Sequence, residues 1–331
     1  MKKLLFIILT VCLALSFTAC KKNEAKKPEL PTIGIAKLIS HNSLNDAEKG
    51  ILDELKELNI HANIDLQNAN GDLNISSAIA SKFKSDNVDV AVGIATPMTV
   101  TLANQLPNTP IVFTAVTDPV KAGLASSITQ GNKNITGVID AIPIKEQLIE
   151  FKKVYDFKKL GIIYTTSETN SVSMAETTKQ VCDELGVELI VQTIATPAEV
   201  KQAAESLVSR VDAFYCFTDN SIATAMSALT DTAKQNKIPV FGGDITPTLN
   251  GGVVYALGFS YYEMGRMTGR LIAEVLQGKK AEELPIQSLN DPKFYNKLLD
   301  LDTAKLLGIT FSDELINSAQ YLIKDGKLIT K

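Results

Sequence analysis

Tryptophan is absent from this chain, and its 331 residues hold only two histidines and four cysteines. The missing indole removes the strongest stacking partner for an aromatic ligand, which leaves an aliphatic amino acid or another small polar ligand open. Neither His41 nor His61 stands at metal-ligand spacing from Cys, Asp or Glu, so a metal centre has no support. No GxSxG elbow, P-loop or GxGxxG follows a strand-like run, and Gly242-Gly243-Asp244 is too short to cradle a phosphate. Hydrolase and nucleotide-enzyme readings are therefore unsupported, and no cofactor is expected. Basic charge is not in excess, since 33 Lys and Arg face 37 Asp and Glu. No nucleic-acid partner follows from such a balance.

Long apolar runs are also missing, except for one at the start of the chain. Lys2 and Lys3 precede an almost unbroken apolar stretch from Leu4 to Leu15, followed by Ser16-Phe17-Thr18-Ala19-Cys20. That is the pattern of an export signal, too short for a membrane span. A small residue directly before a cysteine resembles a bacterial lipoprotein signal, so residues 1–19 are expected to leave and Cys20 to carry lipid. Losing Lys2 and Lys3 takes the formal net charge from −4 to −6. Residues 20–31 are rich in Lys and Glu and end in proline, the composition of a flexible tether. The protein is thus expected to work outside the cytoplasm, attached to a membrane and facing the periplasm or cell exterior. Of the cysteines that remain, Cys182 and Cys216 sit in apolar repeating patterns and are expected as buried free thiols.

What is present is a globular composition, 45% hydrophobic and 21% charged, with a strand–helix rhythm of roughly 25 residues. Strands are predicted at Ile33–Ile39, Asn63–Gln67, Val88–Gly93 and Pro110–Thr114. Helices are predicted at Asn45–Leu58, Ser76–Lys84 and Pro97–Gln105. The rhythm restarts after Lys159, with strands at Leu160–Tyr164, Val187–Gln192, Asp212–Phe217, Ile238–Phe241 and Gly252–Phe259. Helices there are predicted at Ser171–Leu185, Pro197–Arg210, Ser221–Gln235 and Tyr262–Leu276. This alternation predicts an α/β fold: two Rossmann-like lobes with parallel sheets and a ligand cleft between them. The expected lobes are residues 32–142 and 143–258, with 259–331 supplying a crossover helix, part of the first lobe and a helical cap over Leu298–Ile323. A monomer is expected.

Polar clusters follow the strands. They begin at His41, Ala95, Thr114, Thr165, Thr218 and Gly242. Ser, Thr, Asn and Asp at such places cap helices, and at the carboxyl ends of parallel strands they also line a crevice. Helix N-termini near Ala95-Thr96 and Asn170-Ser171 offer free amides to a carboxylate. Asp219 and Asp118 are candidates for an ammonium, with Asn220, Thr117 and Asp244 beside them. Leu44, Phe113 and Phe259 are candidates for an apolar wall. The ligand expected is a small zwitterion.

Several of these segments carry a resemblance. Gln67-Asn68-Ala69-Asn70-Gly71-Asp72, Ala95-Thr96-Pro97, Phe113-Thr114-Ala115-Val116-Thr117-Asp118-Pro119, Thr218-Asp219-Asn220 and Ala304-Lys305-Leu306-Leu307-Gly308-Ile309 are similar to signatures of one family. It is the ABC-transporter substrate-binding family associated with tryptophan and tyrosine uptake, and the likeness extends over about residues 32–324. The resemblance implies a type I periplasmic-binding fold and a hinge that closes on an amino acid, often an aromatic one. It also implies ABC permease and ATPase partners, and no covalent chemistry. Other two-lobed proteins of this kind take sugars or nucleosides or present their ligand to a membrane receptor, and the sequence leaves these open.

Overall fold

The chain enters its first sheet at β1 (Thr32–Lys37), where Ile33 and Ile35 are wholly buried. Each such side chain stabilises the fold by about 1.5–3 kcal/mol. The structure, a computed structural model, describes residues 30–289 and 291–331. The expected export signal and Cys20 lie outside the described residues, as does most of the expected tether.

After β1 come α1 (Asn42–Glu57), β2 (Asn63–Asn68), α2 (Leu73–Ser85), β3 (Val90–Ile94), α3 (Thr96–Gln105), β4 (Ile111–Val116) and β5 (Ile135–Ile139). Next are α4 (Ile144–Val154), β6 (Lys159–Thr165), α5 (Thr169–Leu185), β7 (Glu188–Ile194), α6 (Val200–Leu207), β8 (Ala213–Cys216), α7 (Asn220–Thr224), α8 (Met226–Gln235) and β9 (Val240–Gly242). Then β10 (Tyr255–Gly258), α9 (Tyr261–Leu276), β11 (Gln287–Ser288), β12 (Asn296–Asp300), α10 (Leu301–Leu307), α11 (Asp313–Ser318), β13 (Tyr321–Lys324) and β14 (Lys327–Thr330) complete the chain.

Two sheets result. The first runs β11-β5-β4-β3-β1-β2 and the second β14-β13-β12-β10-β9-β8-β6-β7. The first is parallel throughout. Parallel strands are covered on both faces, which is why β3 and β4 are buried at every position. The second sheet is parallel from β7 to β10, then takes β12 antiparallel to β10, followed by β13 and β14 at the edge. The chain passes between the sheets three times: from β5 to α4, from β10 to α9, and from β11 to β12.

Helix α1 buries Leu44, Ala47, Ile51 and Leu55, one stripe at helical spacing. It packs against α9 so closely that a Cβ on Gly265 would lie 2.1 Å from the Ala47 carbonyl oxygen. Ser260 caps α9 through the Glu263 amide, and Asp72 caps α2 through the Asn74 amide.

The tail departs from the sequence reading. Leu298–Ile323 is not a helical cap: β12 and β13 extend the second sheet, and only α10 and α11 are helical there. Leu298 and Leu299 are fully buried on a strand beside β10, so sheet pairing overrides the short helical pattern. The segment 259–289 belongs with the first lobe, through α9 and β11. The predicted helix at Ser221–Gln235 breaks at Ala225, whose amide is shared between the Ser221 and Ile222 carbonyls. Cys182 and Cys216 are free and buried, and burial pushes both thiols up, Cys182 to about 11.

Candidate functional site

The carboxyl ends of the two sheets face each other, and the lobes touch across that gap. Ser43, at the start of α1, donates to Asp244 of the second lobe at 2.5 Å. His41 Nε2 lies 3.1 Å from Asn220 Oδ1. Between these contacts lies a small cavity of about 20 Å³, lined by His41, Leu44, Thr117, Asn170, Thr218 and Asp219 among others. A second chamber of about 240 Å³ shares Asn220 with the first. Its walls include Leu38, Ile39, Leu73 and Pro97 from one lobe, and Glu168, Ala195 and Pro197 from the other. One compartment is polar and the other largely apolar.

The strand tips are shaped to face the gap. Ala95 and Ala115 both have positive φ, 82° and 56°, although neither is glycine. Ala95 ends β3 and precedes α3, while Ala115 sits at a register shift in β4. Such backbone costs of order 1–3 kcal/mol per residue and concentrates at binding sites. Thr96 and Thr114, their neighbours, are buried with hydroxyls that have no partner.

The acids of the site are held by neutral donors. Asp140 accepts from Thr117 and from Tyr261, both at 2.8 Å. Asp244 accepts from Ser43 and from the Thr246 amide. Asp219 caps α7 through the Ile222 amide and takes two further bonds from Thr165. Glu168 accepts from the side-chain amides of both Asn220, at 2.5 Å, and Asn170, at 3.1 Å. Burial, reinforced by the Asp219 charge, pushes Glu168 up to about 8. Burial pushes Asp244 up to about 7, and Asp140 is raised by burial too. Burial, helped by the nearby Lys37 charge, lowers His41 to about 4, so its ring is neutral. No Arg or Lys lines either compartment. These two compartments are therefore acidic and lack a cation of their own.

Of the residues the sequence singles out, Leu44, Thr117, Asn170, Asp219, Asn220 and Asp244 line the central cavity. Ala95 and Thr96 stand at the start of α3, whose Pro97 lines the chamber. Ser171 is buried beside Asn170, from whose amide it accepts. Asp118 lies outside both compartments, its carboxylate bound to the amides of Val120 and Lys121 in its own turn. Phe113 and Phe259 are core side chains rather than walls: Phe113 is fully buried against Gly137, and Phe259 packs on Tyr261. Sequence reasoning missed Ser43, Asp140, Glu168, Tyr261 and the aliphatic and proline walls. Glu168 and Ser43 sit inside polar clusters visible in the sequence, but nothing local separates them from their neighbours.

The comparisons with known proteins agree with this geometry. Residues 32–323 match the family described as ABC transporter substrate binding protein. The chain is 34% identical over 324 residues to the tyrosine-binding protein of Clostridioides difficile strain R20291, covering 92% of each. A Streptococcus pneumonia domain solved in complex with L-Trp superposes with a TM-score of 0.84 at 26% identity, over 89% of this chain and 100% of that one. A ligand-free, open substrate-binding protein from Clostridium difficile gives 0.67 at 30% identity, over 89% and 99%. The better fit to the complex, despite lower identity, accords with the interlobe contacts seen here. The chain belongs to the ABC transporter substrate-binding protein family and has the type I periplasmic-binding fold.

Proposed function

We propose that this solute-binding protein takes an amino acid with an aromatic side chain, closes over it and delivers it to an ABC importer. The observation that carries this reading is the pairing of a small acidic, polar cavity with an apolar chamber of about 240 Å³, the two meeting at Asn220. An amino acid has the same division into a charged head and an apolar body. In this reading the body lies against Leu38, Ile39, Leu73, Pro97 and Pro197, and burying it supplies the non-directional part of the affinity. Proline rings and aliphatic side chains suit the faces of an aromatic ring. The carboxylate is assigned to the free amides at the start of α3, beside the unpartnered Thr96 hydroxyl. Asp219, already bonded three times, contributes negative charge to the wall around the ammonium. The names of the tyrosine-binding and L-Trp-bound relatives support the same class of ligand.

Closure follows from where the contacts lie. Solute that touches both lobes is bound fully only when they meet, so it shifts the population toward the closed state. Among the described residues no helix is long and apolar enough to cross a membrane. Attachment is assigned to lipid on Cys20, which mass spectrometry of the exported protein and of a Cys20→Ser variant tests.

Calorimetry against the twenty amino acids, with sugars and nucleosides included, tests the ligand. L-tyrosine or L-tryptophan is expected to bind most tightly. Binding of a sugar or nucleoside with no response to aromatic amino acids overturns the proposal.

A further inference from the structure

Three buried polar atoms at the central cavity have no partner: His41 Nδ1, Asn170 Oδ1 and Thr218 Oγ1. Unpartnered groups of this kind are rare in folded proteins and each demands an account. Their chemistry is set by a chain of hydrogen bonds. One oxygen of Glu168, Oε2, accepts from both Asn220 and Asn170, so the amide nitrogens of both residues face it. The Asn220 oxygen therefore points to His41 Nε2, which must be the donor. A neutral imidazole that donates through Nε2 carries its lone pair on Nδ1. The Asn170 oxygen is likewise an acceptor. Thr218 supplies a hydroxyl oxygen with lone pairs to spare. All three residues line one cavity of about 20 Å³, room for a single water-sized group. Asp140, Asp219 and Asp244 stand in the same wall.

Resting on the amino-acid reading above, we infer that this cavity is the subsite for the ligand's ammonium group, which donates to Nδ1 of His41, Oδ1 of Asn170 and Oγ1 of Thr218. An alkylammonium has three N–H donors and fits a water-sized space; the acceptors number three and come from both lobes. Glu168 is a positioning residue: by holding two amide nitrogens it turns one oxygen into the cavity and the other onto His41. The surrounding carboxylates, bonded to hydroxyls and amides, favour a cation over a neutral donor. Requirement for an α-ammonium is thus built from neutral acceptors backed by buried acids.

The test compares L-tyrosine with its desamino analogue, 3-(4-hydroxyphenyl)propanoate, by calorimetry on the mature protein. Loss of a charge-assisted bond costs roughly tenfold to a hundredfold in affinity, and the analogue forgoes all three, so it is expected to bind at least a hundredfold more weakly. Thr218→Val keeps the side-chain shape and removes one acceptor; it is expected to weaken L-tyrosine about tenfold or more while leaving the analogue unchanged. Equal affinity of the unaltered protein for the two compounds overturns this inference and leaves the amino-acid reading intact. So does an equal loss of both ligands in Thr218→Val with its melting temperature preserved. Failure of both L-tyrosine and L-tryptophan to bind overturns the amino-acid reading and this inference with it. The comparison on the unaltered protein stands even if the variant does not fold.

Discussion

Ser43 and Asp244, 201 residues apart in the chain, share a buried hydrogen bond of 2.5 Å that spans the cleft. It can form only when the lobes meet, so it belongs to the closed state. Ser43→Ala leaves Asp244 with Thr246 of its own lobe as partner. A hydrogen bond to a charged group is worth about 1.5–3 kcal/mol. Ligand affinity is expected to fall about tenfold to a hundredfold, mainly through faster release in stopped-flow measurements. The melting temperature of the ligand-free protein is expected to change little.

Acid is expected to favour closure of the ligand-free protein. Glu168, at about 8, and Asp244, at about 7, are raised in the closed cleft by burial. Opening returns them toward ordinary carboxyl values near 4. Burial lowers His41 to about 4, which opposes this by one proton below its ordinary value, but the two carboxyls outweigh it, so the closed state holds more protons between about pH 4 and pH 8 and its advantage grows as pH falls through that window. Small-angle scattering from pH 8 to pH 5 should record a falling radius of gyration. An unchanged radius across the range would count against this linkage.

Asp219→Ala is expected to destabilise the protein before any ligand is added. The bonds to Thr165 and to the Ile222 amide lie wholly within the second lobe. Losing a helix cap together with buried partners costs about 1–3 kcal/mol. Urea unfolding without ligand checks this; a variant as stable as the parent would mean the carboxylate has no such role.

Gly265→Ala probes the seam between α1 and α9. The added methyl would sit 2.1 Å from the Ala47 carbonyl oxygen and 3.0 Å from the Gly50 Cα. Backbone cannot give way as a side-chain tip can, so overpacking of about 1–3 kcal/mol is expected. Calorimetric melting should drop by several degrees.

Leu73→Ser tests the chamber. Leu73 is 51% exposed, so its loss should hardly alter the fold. Removing an apolar contact of that size costs about 1 kcal/mol of binding. Affinity for L-tyrosine is expected to fall about fivefold in calorimetry. No change would place the aromatic side chain elsewhere.

Much of the first lobe was legible in local pattern. The stripe positions Ala47, Ile51 and Leu55 and the β-branched run Val88–Gly93 are read directly from spacing and composition, although Leu58, which the same spacing adds to the stripe, is exposed. The tail was not, because Leu298 and Leu299 form a strand only in the presence of β10. Phe113 and Phe259 end strands and read as candidate walls, yet a strand's last aromatic can point either way. Glu168 looked like one more polar residue ahead of a helix, since its two amide partners are recognisable only in space.

Sequence alone determined the two-lobe α/β architecture and the placing of polar clusters at strand ends, because periodicity, capping and turn chemistry act over a few residues. Tertiary packing decided which of those polar residues meet. His41 reaches Asn220 across 179 positions, and Ser43 reaches Asp244 across 201. Neither pairing carries a local signal, since each depends on how two separately folded sheets face one another. The acidity of the cleft has the same origin: a carboxyl's charge state is set by the burial that closing lobes impose, and burial is a property of the assembled molecule.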